Sequence, residues 1–356
     1  MSINIYDTIT MLNGIKAAKP ATSFLRDTFF PTSQGDIFAT EKVTVDFEKE
    51  SSEKLAPAVV KGSVPVQRDS FESHDYTAPL IAPSMVLSIE QLNRRVFNES
   101  IVSSMTPEQR EAQYLADDLK KLDSMITRTE EYMAAQVLLG NAYTIKQYLN
   151  GYGSNLAQDF SINFFGDGNN SNQAVYTGSG WTTSSTNIFS DVKAMCDMLA
   201  KKGLAATDLI MGSSAASTFM ANSEVQKQLD NRRIRIADEM RPEMVNPGVA
   251  FIGKFDFEGF VLDVYSYSAS YTAMDGTETP FFDADKIVVT SKGMGRTAYG
   301  AVSQYEENAV DATTYAEKRV PHVLINRHDG IRELVLQSRP LVMPKQLNAA
   351  IVSGVV

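Results

Sequence analysis

Cysteine is almost missing from this sequence of 356 residues, and long apolar runs are missing too. The single cysteine, Cys196, excludes an internal disulfide and any zinc or iron–sulfur site built from several cysteines. Its low count fits a reducing compartment. No run approaches the roughly 18 apolar residues of a membrane-spanning helix. Met1 to Pro20 lack a compact apolar segment after a basic start, so we expect no secretory signal and no membrane partner.

A surplus of basic residues is also lacking. Lysine and arginine number 33 against 43 aspartate and glutamate residues, which gives a formal net charge of −10. A protein built to coat nucleic acid would carry a basic surface, whereas an acidic surface facing packed DNA limits adhesion by like-charge repulsion. The content of 43% hydrophobic and 21% charged residues is typical of a folded chain. The length suggests roughly two domains.

Motifs that carry chemistry are sparse. There is no Gly-x-Ser-x-Gly or Walker A sequence, and Gly293-Met294-Gly295-Arg296 lacks the third glycine of a nucleotide-binding fingerprint. His322 or His328 beside a nucleophile would be needed for a hydrolytic enzyme. Glu130 and Glu131 are neighbours in a predicted helix and project in different directions, which argues against a paired acid–base site. The sequence predicts no enzyme.

Other polar pairs have structural explanations. Asp283 and Asp285 favour a turn before a strand over a metal site. Ser213 or Ser214 is predicted to cap a helix, although a helix start after a short strand also fits anion binding. The sequence therefore indicates no cofactor and no metal.

Residues 1–40 hold a short apolar cluster of Phe24, Leu25, Phe29 and Phe30. Two interpretations are open. The cluster belongs either to a short amphipathic helix packed on its own domain or to an arm that docks on a neighbouring chain.

A strand follows, since Val43, Val45 and Phe47 alternate with polar residues. The stretch Val59 to Gln67 is predicted to return beside it, with Pro65 favouring an edge. Because a two-stranded ribbon is poorly stable alone in water, it needs apolar cover from its own core or from a neighbouring subunit.

A long helix is the clearest element. Thr106-Pro107-Glu108-Gln109 combines an N-cap threonine, proline at the first helical position and a capping-box glutamine. An apolar stripe runs to about Leu139, where Gly140 is predicted to stop the helix. A helix of about 32 residues would span roughly 48 Å and act as a strut.

After the long helix the sequence predicts a hairpin, a linker and then alternating helices and strands. Ala142 to Ile145 and Phe160 to Phe165 favour a hairpin, and 16 of the 22 residues in 166–187 are Gly, Ser, Thr or Asn, which predicts a linker. The remaining predicted elements are helices at Ile188–Lys202 and Ser213–Leu229 and strands at Leu209–Met211, Val249–Ile252, Phe260–Tyr267, Lys286–Thr290, Arg332–Gln337 and Leu341–Met343.

A local basic run lies at Arg232, Arg233 and Arg235. It could contact phosphates. The acidic neighbours in 230–239 favour a solvated or inter-subunit ion-pair region.

The order of these features resembles the major capsid proteins of tailed bacteriophages, and more closely the lambda-type major head protein family. The resemblance covers nearly the whole chain. Its carrying segments are Phe24-Leu25-Arg26-Asp27-Thr28-Phe29-Phe30, Glu41-Lys42-Val43, Tyr143-Thr144-Ile145, Tyr315-Ala316-Glu317-Lys318-Arg319-Val320-Pro321 and Leu336-Gln337-Ser338-Arg339-Pro340-Leu341.

The resemblance implies an α+β, HK97-like capsid fold. Its parts would be an N-terminal arm, an extended β-hairpin loop, a long spine helix, a peripheral domain and an axial domain. The implied boundaries are the arm at 1–40, the loop at 41–82, the peripheral domain at 83–187 with spine helix 107–139 and hairpin 142–166, the axial domain at 188–310, and return strands of the peripheral domain at 311–356.

The implied function is a shell protein that self-assembles as pentamers and hexamers around double-stranded DNA, without sequence readout. Expected partners are further copies of the chain, and scaffolding, portal and decoration proteins also belong to such systems. The expected location is the virion, with assembly in the host cytoplasm. An encapsulin-like nanocompartment is the alternative. The expected inter-subunit contacts are Phe24, Leu25, Phe29, Phe30, Val43, Val45, Phe47, Val64, Arg232, Arg233 and Arg235.

Overall fold

A computed structural model describes most of the chain. The described residues are 6–17, 23–48, 71–92, 106–148, 157–164, 175–178, 180–181, 187–227, 243–273, 276–305, 311–326, 328 and 330–356. Helices and strands are both present, in the mixed order that the sequence predicts. The helices are α1 (Thr8–Ala17), α2 (Phe24–Phe29), α3 (Ile89–Leu92), α4 (Pro107–Gly140), α5 (Ile188–Ala200) and α6 (Ser213–Ala221).

Eight of the described strands have seven to nine residues, and the others are shorter. In chain order they are β1 (Lys42–Glu48), β2 (Phe71–Thr77), β3 (Ser84–Ser88), β4 (Ala142–Tyr148), β5 (Ala157–Asn163), β6 (Asp208–Gly212), β7 (Glu243–Asn246), β8 (Val249–Phe257), β9 (Phe260–Tyr267), β10 (Ser270–Thr272), β11 (Glu278–Pro280), β12 (Lys286–Thr290), β13 (Gly295–Tyr299), β14 (Val302–Tyr305), β15 (Ala312–Tyr315), β16 (Val320–Asn326), β17 (Ile331–Gln337), β18 (Pro340–Pro344) and β19 (Ile351–Gly354).

One six-stranded sheet dominates the second half of the chain. Its order is β19-β12-β6-β9-β8-β7, with β6 and β9 parallel and the other pairs antiparallel. Helices α5 and α6 cover it through a core that includes Trp181, Phe219 and Phe257. We call this sheet with its two helices the sheet body.

The long helix α4 organises a second unit. The sheet β16-β17-β3 packs on α4 through Leu334 and Leu336, which share a core with Leu122 and Ile126 of the helix. The antiparallel pair β13–β18 lies beside it. We call α4 with these five strands the spine body.

The predicted spine helix is confirmed, including its start. The Thr106 hydroxyl accepts from the backbone N–H of Gln109 at 3.3 Å, and the Gln109 side chain accepts from the backbone N–H of Thr106 at 3.0 Å. The helix includes Gly140, and Asn141 adopts the left-handed conformation that ends it. The predicted stop is thus one residue early.

The predicted partner of β1 is wrong. β1 pairs with β2 along its whole length, from Lys42 opposite Thr77 to Glu48 opposite Phe71. Val59 to Gln67 lie outside the described residues. The pairing sets Val43 opposite Tyr76, a β-branched and aromatic pair of the kind that stabilises antiparallel strands.

Two further predictions concern the second half of the chain. The helix predicted over Ser213–Leu229 is interrupted. Helix α6 ends at Ala221, where Asn222 leaves the helical conformation, and its side chain accepts from the Glu224 backbone N–H at 2.9 Å, so that residues 223–227 are helical again. The last strand, Ile351–Gly354, pairs with β12 in the sheet body. Its sheet is thus that of β12, and the assignment of 311–356 to return strands of the peripheral domain stays a prediction.

The described part of the polar segment 166–187 is attached to the sheet body. The Tyr176 backbone N–H donates to the Val352 carbonyl at 2.9 Å, and the Trp181 indole N–H donates to the buried Asp191 carboxylate at 3.2 Å. Trp181 is 1% exposed. A free linker does not fit these residues, because a buried indole needs the partner that Asp191 supplies.

Candidate functional site

Two adjacent carboxylates of α4 are buried where α2 crosses the helix. Glu130 is 0% exposed and Glu131 is 6% exposed. Neighbouring residues on a helix point in directions about 100° apart, so the two side chains contact different segments. A buried charge needs partners, and each carboxylate has several.

Glu130 is held by two arginines from distant parts of the chain. The Arg26 guanidinium donates to its Oε2 at 2.6 Å, and Arg319 donates to Oε1 at 2.7 Å and to Oε2 at 3.0 Å. The Tyr299 hydroxyl donates to Oε1 at 3.0 Å. The two-pronged Arg319 contact fixes both distance and direction.

The electrostatics make this cluster a permanent ion group. Burial raises the pKa of Glu130, but Arg319 and Arg26 outweigh it and the net shift is downward. Burial lowers the pKa of Arg319, and the Glu130 charge outweighs that effect and raises it. Burial and then Glu130 raise the pKa of Tyr299. None of these groups is set to exchange protons near neutral pH, so the arrangement acts as a clasp rather than an acid–base site.

Arg319 extends the clasp to the end of the chain. Its Nε donates to Asp123 at 2.8 Å, and its Nη1 donates to the Ser338 hydroxyl at 3.1 Å. Ser338 in turn donates to the Lys318 carbonyl at 2.8 Å. The residue before β16 is thereby tied to α4 and to the connection between β17 and β18.

Glu131 binds the first turn of α2. Its carboxylate accepts from the backbone N–H groups of Leu25 and Arg26, each at 3.0 Å, and from the Ser23 hydroxyl. These N–H groups have no partner within the helix, and a negative charge at a helix N-terminus is favourable. The Tyr267 hydroxyl of β9 donates to the same carboxylate at 2.7 Å.

The apolar cluster in the arm lies in the core of its own chain. Phe24 is 4% exposed, and Leu25, Phe29 and Phe30 are fully buried. A Cβ on Gly295 would lie 2.2 Å from the Phe30 ring, so only glycine allows this contact. In the described subunit these four residues pack on their own domain and leave almost no exposed surface. That they contact another subunit stays a prediction.

The base of the hairpin loop is also buried in its own chain. Val43 is 0% exposed and Val45 is 1% exposed, and both lie in the same core as α2. The Arg339 guanidinium fastens this base by donating to Glu41 at 2.5 Å and to the Ala78 carbonyl at 3.3 Å. The apolar cover of this part of the hairpin therefore comes from the same chain.

The other predicted contact residues stay predictions. Phe47 lies in β1 opposite Glu72 in the pairing register, and its side chain is outside the described part of the structure. Four more residues lie outside the described residues altogether. They are Val64, Arg232, Arg233 and Arg235.

The remaining polar motifs are structural. The backbone N–H groups of Ser214 and Ala215 both donate to the Ala284 carbonyl at 3.1 Å, so they are not open to an anion. The N-cap residue is Gly212 without a side-chain cap bond, so the predicted serine cap is wrong. Asp283 and its neighbours form the predicted turn, in which the Asp285 N–H donates to the Asp283 side chain at 3.2 Å.

Two of the three histidines lie in the segment that contains β16 and the turn after it. His322 is half-buried in β16, and His328 is exposed in the turn before β17. Among the described residues, no group of histidine, cysteine and carboxylate side chains is arranged to hold a metal ion. No helix in the part of the chain that the structure describes has the length and apolarity that a membrane crossing needs.

The spacing of the apolar residues in α4 contains a signal for this cluster. Glu130 continues the spacing of Leu122 and Ile126 before Met133, so a carboxylate occupies a position of the buried stripe. A charge at a core position requires a buried partner. Its partners Arg26 and Arg319 are 104 and 189 residues away in sequence and could not be identified by spacing.

Several solved structures are similar to this chain. A prophage protein of Escherichia coli CFT073, described as a candidate capsid protein, has a TM-score of 0.67 at 16% identity and covers 98% of this chain and 99% of its own. A phage-related protein of Bordetella bronchiseptica RB50 has a TM-score of 0.49 at 10% identity, covering 99% and 97%. The mature capsid protein of bacteriophage PhiM1 has a TM-score of 0.46 at 9% identity and covers 95% of this chain and 88% of its own. No curated protein matches the chain.

The first of these structures shows the fold, which is the predicted α+β, HK97-like capsid fold. The sequence profile of the family described as phage major capsid protein E matches residues 7–356. This protein therefore belongs to the phage major capsid protein E family.

Proposed function

We propose that this chain assembles with copies of itself into the closed icosahedral shell of a virion, which forms in the host cytoplasm and encloses double-stranded DNA. The family match over residues 7–356 carries the proposal. The work of the protein is then binding between copies, and the buried clasp serves it by holding each subunit in one shape. No catalytic step is required of it.

Exposed apolar side chains outside the two bodies' cores support binding between copies. Val86 is 55% exposed and Leu324 is 47% exposed, and both flank Glu333 in one row across the sheet β16-β17-β3. The opposite face of this sheet packs on α4. We assign the inter-subunit role to such positions in place of the arm aromatics, which the subunit buries itself.

The proposed arrangement places the region 188–310 around the five-fold and six-fold axes and the loop 41–82 over neighbouring subunits. A stable contact buries about 1,200–2,000 Å² in total. Several weaker contacts on each chain add up through multivalency, so assembly stays reversible until the shell closes. The net charge of −10 limits adhesion to DNA inside. Scaffolding, portal and decoration proteins are the further partners that such a shell would use.

Sedimentation of the purified full-length protein, followed by electron microscopy, tests the proposal. We expect closed particles built from clusters of five and six subunits, and protection of DNA from nuclease in particles isolated from an infected host. A monomer under every assembly condition would overturn it. Particles that contain a protein cargo and no DNA would indicate the nanocompartment alternative instead.

The exposed sheet row provides a variant test. Leu324→Asp should reduce particle formation and leave the unfolding temperature of the subunit unchanged, because the side chain is outside the core. Val43→Asp serves as the contrast, since a buried carboxylate at this position should reduce folding itself. Normal particles from Leu324→Asp would remove the sheet row from the proposed contacts.

A further inference from the structure

The short helix α2 lies between the sheet body and the spine body and touches both. On the sheet side, the Phe24 ring centroid is 4.9 Å from that of Tyr265 and 6.3 Å from that of Tyr267, both in β9. On the spine side, Glu130 and Glu131 of α4 hold its backbone and its arginine. The helix thus contacts both bodies.

Glu131 joins three elements in one carboxylate. It accepts from the α2 backbone at Leu25 and Arg26, it belongs to α4, and it accepts from the Tyr267 hydroxyl at 2.7 Å. Tyr267 is 2% exposed. If α2 left its place, the carboxylate would keep one partner from β9 and lose those from the arm, a costly arrangement for a buried charge.

The other end of α2 meets a point where the chain passes from one body to the other. The turn 291–294 connects β12 of the sheet body to β13 of the spine body, and the Gly293 N–H donates to the Thr28 carbonyl at 3.1 Å. Lys292 of this turn pairs with Asp263 of β9 at 2.9 Å, and Lys345 donates to the Gly293 carbonyl at 2.9 Å. Both ends of α2 are therefore fixed at junctions between the bodies.

The first arm helix differs in this respect. Met11 of α1 packs with Leu122, Ile126 and Leu334, which all belong to the spine body. Its surface ion pair, Lys16 with Glu317 at 2.6 Å, lies just before β16. Helix α1 provides an internal comparison, because it is attached to one body and α2 to both.

We propose that α2 is a wedge that sets the angle between the sheet body and the spine body, and that Glu131 couples its seating to that angle. A shell places identical chains in non-identical surroundings, so a change in the seating of α2 is the step by which one chain adopts different angles. The role of α2 in a shell rests on the proposed function, whereas its role as a wedge is a property of one subunit.

Distances between the two bodies in the full-length protein test the wedge. Spin labels at Lys120→Cys and Ala200→Cys, both exposed, report the separation of α4 and α5. Cys196 does not interfere, because burial and then Asp197 raise the pKa of its thiol to about 12 and keep it unreactive. The measurement uses dissociated subunits, or labelled subunits diluted among unlabelled ones in a shell, so its result does not depend on assembly.

We expect a narrow distance distribution for the parent protein and a shifted, broadened one for Phe24→Ala. Met11→Ala is the matched control, since it also empties a buried arm position but on the spine body alone. A distribution that stays narrow in Phe24→Ala, or that broadens equally in Met11→Ala, would overturn the wedge.

If Phe24→Ala does not fold, two variants that each remove a single hydroxyl test the wedge. Tyr267→Phe removes the hydroxyl that joins β9 to Glu131, whereas Tyr299→Phe removes the equivalent bond to Glu130 within the spine body. Only Tyr267→Phe should broaden the distribution. Equal distributions for the two variants would contradict the role of Glu131, even if particles still formed.

Discussion

Glu130 shows how one residue can position distant parts of a chain. A glutamate that continues the apolar stripe of α4 is fully buried, and it is stabilised by Arg26 from the arm and Arg319 from the return segment. Such a group adds little net stability over an apolar core, because desolvation offsets the attraction. Its effect is specificity: the arm and the segment before β16 each have one place on α4 that satisfies the charges.

Removal of this charge should strongly destabilise the subunit. Glu130→Gln removes the fully buried carboxylate that Arg26 and Arg319 share and leaves them only the more exposed carboxylates of Asp27 and Asp123. Breaking a buried ion group of this kind costs about 3–5 kcal/mol. Urea unfolding of the subunit measures the change. Glu317→Gln is the control, because its pair with Lys16 lies on the surface and is worth at most about 1 kcal/mol. Equal losses in the two variants would contradict the clasp.

The acid dependence of stability follows from the lowered pKa of Glu130. Its pKa lies below the ordinary 4.5, so its stabilising charge is fully present above that pH and is lost as the pH falls through the lowered value. The gap in unfolding free energy between the parent protein and Glu130→Gln should stay constant from pH 7 to about pH 5 and narrow below that. Unfolding series at several pH values check this, and a gap that widens on acidification would contradict it.

Gly295 is a second residue on which the arm depends. In Gly295→Ala the new Cβ would lie 2.2 Å from the Phe30 ring and 2.6 Å from the Met343 carbonyl, and overpacking of this kind costs about 1–3 kcal/mol. Gly35→Ala is the control, since nothing lies within 4 Å of its added Cβ. Thermal unfolding should show a clear loss for the first variant and almost none for the second. Equal unfolding temperatures would show that the Phe30 contact is not tight.

At the scale of elements, local signals predicted local structure. The capping box at Thr106 and the stripe to Leu139 predicted α4 to within a residue, and the alternation around Val45 predicted β1. The strand pairing could not be predicted from such local signals. The partner of β1 is the strand at 71–77, and the composition of the charged segment between the two strands does not determine how many residues separate them. The attachment of Trp181 was also missed, since a run of small polar residues carries no sign of the Asp191 side chain that binds it.

The attachment of this polar segment can be measured with the single tryptophan. Trp181 is 1% exposed, and its indole N–H and the Tyr176 hydroxyl both donate to Asp191. Asp191→Ala should therefore release the segment and shift the tryptophan emission to longer wavelength. Glu258→Ala, which removes only an exposed pair with Lys193 on the same helix, should leave the emission unchanged. An unshifted spectrum in Asp191→Ala would show that the segment is held by other contacts.

At the scale of the whole molecule, the sequence left open whether the arm serves its own subunit or a neighbour. Aromatic residues such as Phe24 and Phe30 are equally consistent with burial in their own subunit and with burial against a neighbour, because the sequence does not show which residues surround them in space. The structure places α2 inside its own subunit through Glu131 and Gly295, which lie far away in the chain. Overall order of elements was enough to predict the family, whereas the side-chain network that fixes the arm was not.

The central claim is that this chain builds a closed shell from subunits that each keep their arm helix. A side-chain-resolution electron cryo-microscopy reconstruction of the assembled protein tests it most directly. We expect a closed icosahedral shell in which α2 of every subunit lies against α4 of the same subunit. Failure to form shells, or shells in which α2 lies on the α4 of a neighbouring copy, would contradict it.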